Sequence, residues 1–191
     1  VNYVGHPLIE VIEEFKASHP SEPKQIVALL PGSRKQEIAK KLPIMLSVAS
    51  HFPDYEFVVA KAPGQEDQFY EPFLAGQTNV KVVKDSTYAL LMQSSAALVT
   101  SGTATLETAL FGVPEVVCYK GSNISYQIAK RLVKIKFISL VNLIMDKEIV
   151  KELIQDELNT NNLVKELNML LNNTNQQENL KMEYSKLYQL L

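Results

Sequence analysis

Short apolar runs alternate with longer stretches of helical spacing over the first two-thirds of the chain. Gln25-Ile26-Val27-Ala28-Leu29-Leu30 lies between Pro23 and a Pro31-Gly32 turn signal, and similar runs follow at 57–60, 80–83, 96–99 and 115–118. Each is short, rich in β-branched residues and closed by Gly, Pro or Ser, as strands buried on both faces are. The intervening stretches carry helical periodicity. Ile38, Leu42, Met45 and Ala49 mark one face of the first, where Pro43 predicts a kink or the start of a second helical piece. Five strands alternating with helices predict an α/β fold, a Rossmann-like parallel sheet flanked by helices and wound with right-handed crossovers.

Beyond about residue 122 the strand signal fades. Ile128, Leu132 and Ile135 predict an amphipathic helix over 125–134. The apolar stretch 137–145 reads as a last strand or a packed loop. From 147 onward the pattern is helical in three pieces, 147–158, 161–171 and 176–191. Asparagine becomes dense here, with eight between Asn159 and Asn179 against two before residue 100. Asn172-Asn173-Thr174-Asn175 marks a turn or linker. This divides the chain into a domain over 1–171 and a C-terminal helix over 172–191 that is expected to pack on another domain or a partner.

Composition narrows the function. A chain of 191 residues with 46% hydrophobic positions can form one domain, burying roughly 70% of the surface its unfolded form exposes. Nineteen basic against 21 acidic residues give a net charge of -2, which argues against a nucleic-acid-coating protein. A single cysteine, Cys118, cannot form an intramolecular disulfide or a cysteine-rich zinc site, and its apolar surroundings make it a small buried hydrophobe. No run of about 18 apolar residues spans a bilayer, and no signal peptide is recognisable. Position 1 is Val, so the chain is expected to be part of a longer protein.

Ligands of open α/β sheets bind beyond the carboxyl ends of the strands. After the first predicted strand, Gly32 permits a tight turn and close approach of a ligand, and Ser33 with Gln36 three residues later makes a capping-box pattern. The exposed N–H groups and positive dipole end of such a helix suit a phosphate, and Arg34 adds a bidentate guanidinium. A plain strand–turn–helix with a surface Arg satisfies the same local pattern. After the fourth strand, Ser101-Gly102-Thr103 opens another helix, with Glu107 one turn deeper on the same face. That carboxylate could accept hydrogen bonds from ribose hydroxyls; it could equally serve only to complement the helix dipole. Two phosphate-suited turns in one sheet together favour a nucleotide or nucleotide-sugar site.

Other chemistry finds little support. Neither a dinucleotide fingerprint nor a P-loop occurs, and there is no H-E-x-x-H or C-x-x-C. His6, His19 and His51 are scattered, so no metal site is expected. Lys130, Arg131, Lys134 and Lys136 crowd one stretch; they form either a solvated helix face or one attracted to anionic headgroups. Asn142 lies in an apolar segment and needs hydrogen-bond partners from backbone or ligand.

Taken in order, Val4-Gly5-His6-Pro7-Leu8, Leu29-Leu30-Pro31-Gly32-Ser33-Arg34 with Glu37, Ser101-Gly102-Thr103-Ala104 with Leu106-Glu107, Tyr119-Lys120, Ala129-Lys130-Arg131-Leu132-Val133-Lys134 and Ser139-Leu140-Val141-Asn142-Leu143 resemble the C-terminal half of the lipid-A-disaccharide synthases, bacterial glycosyltransferases of GT-B architecture. The likeness runs to about Leu171. Val141 departs from it where many relatives have Pro, and Lys120 where Arg is common; Lys cannot make Arg's bidentate contact.

The resemblance implies a nucleotide-sugar donor domain in a pair of Rossmann-like domains, and transfer of 2,3-diacylglucosamine from UDP to 2,3-diacylglucosamine 1-phosphate. It assigns Arg34 and Asn142 as catalytic. It assigns Gly32, Ser33, Ser101, Gly102, Thr103, Glu107 and Lys120 to substrate binding, with no metal and no cofactor. The expected partners are the UDP-diacylglucosamine donor, the lipid acceptor, and an N-terminal domain carrying the general base. The resemblance also implies a cytoplasmic enzyme, with peripheral contact at the inner membrane. A second copy of the chain is a further expected partner, through the C-terminal helices. Another UDP-N-acetylglucosamine-dependent protein of the same architecture, or a binding module, remains the alternative.

Overall fold

The computed structural model describes residues 7–121 and 136–191. Six parallel strands are ordered β3-β2-β1-β4-β5-β6: β1 Ile26–Leu30, β2 Glu56–Lys61, β3 Val80–Lys84, β4 Ala96–Thr100, β5 Glu115–Tyr119 and β6 Lys151–Ile154. The helices are α1 Pro7–Ser18, α2 Lys35–Leu46, α3 Asp67–Leu74, α4 Thr87–Gln93, α5 Thr103–Leu110, α6 Leu140–Met145, α7 Thr160–Asn172 and α8 Thr174–Leu190. The first five strands fall on the five apolar runs of the sequence.

The central strands β1 and β4 are buried along almost their whole length, because helices cover both sheet faces. Ile38, Leu42 and Met45 of α2 and Tyr70 of α3 pack on the face carrying Val27, Leu29, Phe57 and Val59. Leu90 and Leu91 of α4 pack on the opposite face, with Ala28, Leu30, Val58 and Ala60. This two-sided burial explains why the strands read as continuous apolar runs rather than as alternating ones.

The structure corrects four expectations. Pro43 lies inside α2, which continues through it, so no second helical piece starts there. It sits in the last turn, where the carbonyl of Pro43 accepts the N–H of the cap residue Ser47. The stretch 137–145 contributes neither strand nor loop alone but the short helix α6, whose N-cap Ser139 accepts the N–H of Asn142. The supposed helix over 147–158 contains β6 instead, hydrogen-bonded along β5 from Val116↔Lys151 to Tyr119↔Ile154. Its helical spacing is overridden by tertiary pairing with the open edge of β5. Finally, the C-terminal helix does not stand apart: Leu180, Tyr184 and Leu187 of α8 join the same core as α7. Lys147 and Lys186 both pair with Glu183. The expected helix over 125–134, with Lys130, Arg131 and Lys134, and the segment containing His6 lie outside the described residues.

Asn142 and Glu152 lock α6 to β6. The Asn142 amide donates to the Val150 carbonyl at 2.8 Å and to Glu152 Oε1 at 2.9 Å. Its oxygen accepts from the Ile149 and Val150 N–H groups at 2.7 and 3.0 Å. All four hydrogen-bonding positions of the amide are filled by protein, and the residue is fully buried. Glu152 also accepts from the backbone N–H groups of Ile138 and Ser139 and from the Ser139 hydroxyl. Glu115 is the contrast. It is buried at the start of β5, and neither carboxyl oxygen meets a hydrogen-bond partner among the described residues. Burial pushes its pKa well above the usual carboxylate range.

Two expectations follow from these buried groups. Asn142→Ala leaves the Ile149 and Val150 N–H groups unpaired and takes one donor each from the Val150 carbonyl and Glu152 Oε1, and should lower unfolding free energy by about 2–4 kcal/mol. A urea titration returning less than about 0.5 kcal/mol would show that the network is not structural. Glu115 holds its proton in the folded state at pH values where the unfolded chain has already lost it. Stability should therefore fall as pH rises from the ordinary glutamate value toward the raised one. Glu115→Gln should accordingly gain stability over the parent chain at pH 8 and lose that advantage near pH 4; parallel pH profiles for the two proteins would contradict it.

Candidate nucleotide-binding site

The sheet creates its own crevice. Strand order reverses between β1 and β4, the topological switch point at which α/β folds bind ligands. The pairing Leu30↔Val99 sets the turns leaving the two strands side by side. They flank a cavity of about 360 Å³ lined by Gly32, Ser33, Glu37, Thr100, Ser101, Gly102, Thr103 and Glu107, with Lys61 and Thr87 closing other sides.

Both turns depend on glycine. Gly32 has φ +109°, and a Cβ there would stand 3.0 Å from Glu37 Oε2 and 3.4 Å from the Thr100 methyl. Gly102 has φ +141° with open space where a Cβ would be; it serves as N-cap of α5. The Thr105 N–H and hydroxyl both return to the Gly102 carbonyl, at 3.1 and 2.8 Å. Thr103 and Ala104 begin the helix at the cavity wall, where the first N–H groups of a helix lack intrahelical acceptors. This is an anion-accepting arrangement.

One turn deeper, Glu107 accepts the Tyr88 hydroxyl at 2.8 Å. Burial, and then that hydrogen bond, push the Tyr88 pKa up to about 12, so the phenol stays a donor at neutral pH. It occupies one Glu107 oxygen and orients the carboxylate toward the cavity it lines. The Ser101 hydroxyl donates to the Ile138 carbonyl at 2.8 Å, which leaves its oxygen as an acceptor and its backbone at the pocket.

The expected residues do not all meet. Gly32, Ser33, Ser101, Gly102, Thr103 and Glu107 share the cavity. Arg34 is not among the lining residues; its side chain is 82% exposed and paired at 3.4 Å with Glu37, which lines the cavity. Arg34 itself, not Ser33, is the N-cap of α2, because its backbone is still extended, and it makes no side-chain cap bond. The Ser33–Gln36 capping box is therefore not formed. Lys120 follows β5, half-buried, and is not among the cavity's lining residues. Asn142 is buried and fully hydrogen-bonded, so its amide has no capacity left for a substrate. The role the structure gives it is to hold α6 against β6.

Sequence reasoning also missed groups that the fold brings in. Lys61, at the end of β2, pairs with Asp67 at 3.0 Å and lies over the Tyr70 ring at 5.6 Å. Lys41 is buried beneath the Gly32 turn, hydrogen-bonded to the Thr100 hydroxyl and 3.8 Å from Glu37 Oε2. The i, i+4 spacing of Glu37 and Lys41 was the one available sign.

Known proteins agree with this geometry. The family model of lipid-A-disaccharide synthetase matches residues 1–191. The lipid-A-disaccharide synthase of Geobacter sulfurreducens is 36% identical over 183 residues, covering 90% of this chain and 48% of its own length. That of Psychromonas ingrahamii is 42% identical over 164 residues, covering 80% of this chain and 42% of its own. The chain thus spans about half the length of the curated relatives it matches. Among solved structures, the C-terminal CMP-Kdo binding domain of WaaA from Acinetobacter baumannii superposes with a TM-score of 0.56 at 14% identity. It covers 95% of this chain and 98% of that one, a likeness of fold alone. A doubly wound sheet with paired glycine turns at its switch point, a family model matched along the whole chain, and relatives sharing over a third of its residues lead to one conclusion: the chain belongs to the lipid-A-disaccharide synthetase family.

Proposed function

We propose that this chain is the donor-binding half of a lipid-A-disaccharide synthase. In this reading the cavity between the β1 and β4 turns seats the UDP moiety of UDP-2,3-diacylglucosamine. The enzyme passes the acylated sugar to 2,3-diacylglucosamine 1-phosphate, forming the β-1,6 disaccharide 1-phosphate and releasing UDP. The observation that carries it is the convergence of two left-handed glycine turns and the Glu107 carboxylate on one cavity at adjacent strand ends.

Each group then has a role. The diphosphate lies against the Gly102 turn and the first N–H groups of α5, with the Gly32–Ser33 turn on its other side. These dipoles stabilise charge that builds on the diphosphate as the bond to the sugar breaks, and they need no reorganisation to do so. Arg34 exchanges Glu37 for a phosphate oxygen. The Glu107 oxygen not held by Tyr88 accepts the ribose hydroxyls. Acceptor binding and the base that takes the acceptor proton are assigned to the part of the relatives' length that this chain does not span. No described helix is long and apolar enough to cross a membrane. Lipidic substrates would bring the enzyme to the inner membrane peripherally.

Calorimetry should show UDP binding to this chain, and no heat at millimolar UDP would reject the reading. Glu107→Ala should weaken UDP by about 10- to 30-fold, the equivalent of one hydrogen bond to a charged group, and should leave inorganic pyrophosphate binding unaffected. Equal weakening of both ligands would place Glu107 elsewhere than at the ribose. In the full-length enzyme, Arg34→Ala should remove most turnover in a UDP-release assay, and normal turnover would refute its assigned contact.

A further inference from the structure

Two carboxylates line the cavity, Glu37 and Glu107, although a diphosphate would bring more negative charge to the same place. Glu107 is partnered by a neutral phenol. Glu37 is held between two cations: Arg34 Nη1 lies 3.4 Å from Oε1 and Lys41 Nζ 3.8 Å from Oε2. These cations are not equivalent. The Arg34 side chain is 82% exposed and free to turn, whereas that of Lys41 is 4% exposed.

A lysine on a surface helix normally extends its ammonium into water, and burying that charge is costly unless it is paired. Lys41 instead lies under the sheet's carboxyl edge, donating to Thr100 Oγ1. Its Nζ is 3.6 Å from the point where a Cβ on Gly32 would stand. The ammonium therefore sits directly behind Gly32, Thr100 and Glu37, three residues that line the cavity, without lining it itself. Burial pulls its pKa down and the Glu37 carboxylate pulls it back up. An anion seated on the other side of Gly32 acts in the same direction as Glu37. A charge at such a site is screened by salt far less than one on the surface.

We propose that Lys41 is a positioning residue for the diphosphate: its buried ammonium neutralises Glu37, so that this carboxylate neither repels the incoming diphosphate nor retains Arg34. The inference rests on the reading of the cavity as a nucleotide-diphosphate seat and adds to it the source of its charge balance. With Lys41 in place Arg34 can leave Glu37 without stranding it, because one cation stays behind. Without Lys41, Arg34 is the only described partner of Glu37, and binding UDP would expose an unpaired carboxylate beside the phosphates.

The test compares UDP, by titration calorimetry, with uridine, by ligand-observed NMR titration, in the parent chain, Lys41→Met, Glu37→Gln and the double variant. Lys41→Met should weaken UDP about tenfold or more while uridine stays within about twofold. Glu37→Gln should tighten UDP about threefold or more, since neither cation is then neutralised by the carboxylate. The double variant has the parent's charge balance and should recover most of the lost affinity. Equal weakening of both ligands, or a double variant as weak as Lys41→Met, would make Lys41 a packing group and overturn the proposal. Unchanged UDP affinity in Lys41→Met would overturn it as well. Should Lys41→Met fail to fold, Glu37→Gln decides alone, and unchanged or weaker UDP binding there is the overturning result. A parent chain with no preference for UDP over uridine removes the nucleotide-diphosphate reading itself; a preference undiminished in Lys41→Met removes only the role of Lys41.

Discussion

The reversal of winding between β1 and β4 is the constraint on which the site depends. From β1 the chain steps outward through α2 to β2 and through α3 to β3, then returns through α4, on the opposite face, to pair β4 with β1. Right-handed crossovers running in opposite directions must place their helices on opposite faces. The turns leaving β1 and β4 therefore part, and a crevice opens where the strands end. Neither turn makes a pocket alone. Side by side, each supplies one wall, and each must bend sharply at once to leave room. This is why both carry a glycine with positive φ, Gly32 and Gly102.

The sequence makes this part of the fold legible because a parallel strand buried on both faces leaves a strong signal: an apolar run ended by small or turn residues. All of the first five strands carry it, and so do both glycine turns. β6 does not. Lys151–Ile154 lies in a stretch whose apolar residues follow a helical spacing, and only the unpaired edge of β5 selects the strand. The N-cap of α2 lies one residue later than the serine suggests, because the Gly32 turn keeps the backbone extended through Arg34. Neither event is local, and local pattern cannot report it.

Lys41 shows the same limit at a single side chain. Lys40 and Lys41 are adjacent on α2, and the sequence offers no reason to separate them. Lys40 is exposed and Lys41 buried, and what separates them is an acceptor on another strand, the Thr100 hydroxyl. Charged residues that act from beneath a site are the hardest to find by motif. The motif records what touches the ligand, and the neutralising charge belongs to the packing.

Asn142 makes the converse point. Its place in an apolar segment reads as a functional amide, yet its hydrogen bonds are spent on Val150, Ile149 and Glu152. Its connection to the site runs through the backbone. Glu152, which Asn142 orients, also receives the N–H groups of Ile138 and Ser139, and the Ile138 carbonyl in turn accepts the Ser101 hydroxyl. Ser101 precedes the glycine that opens α5. The α6–β6 network is thus the fixed wall against which the second turn is braced, and its rigidity reaches the pocket across one hydrogen bond. An apolar residue at 142 would leave the Ile149 and Val150 N–H groups without a partner and take one donor from Glu152, loosening the anchor of Ser101 with no change to the identity of any residue lining the cavity. A side chain can therefore bear on a site without touching it, through the backbone it positions.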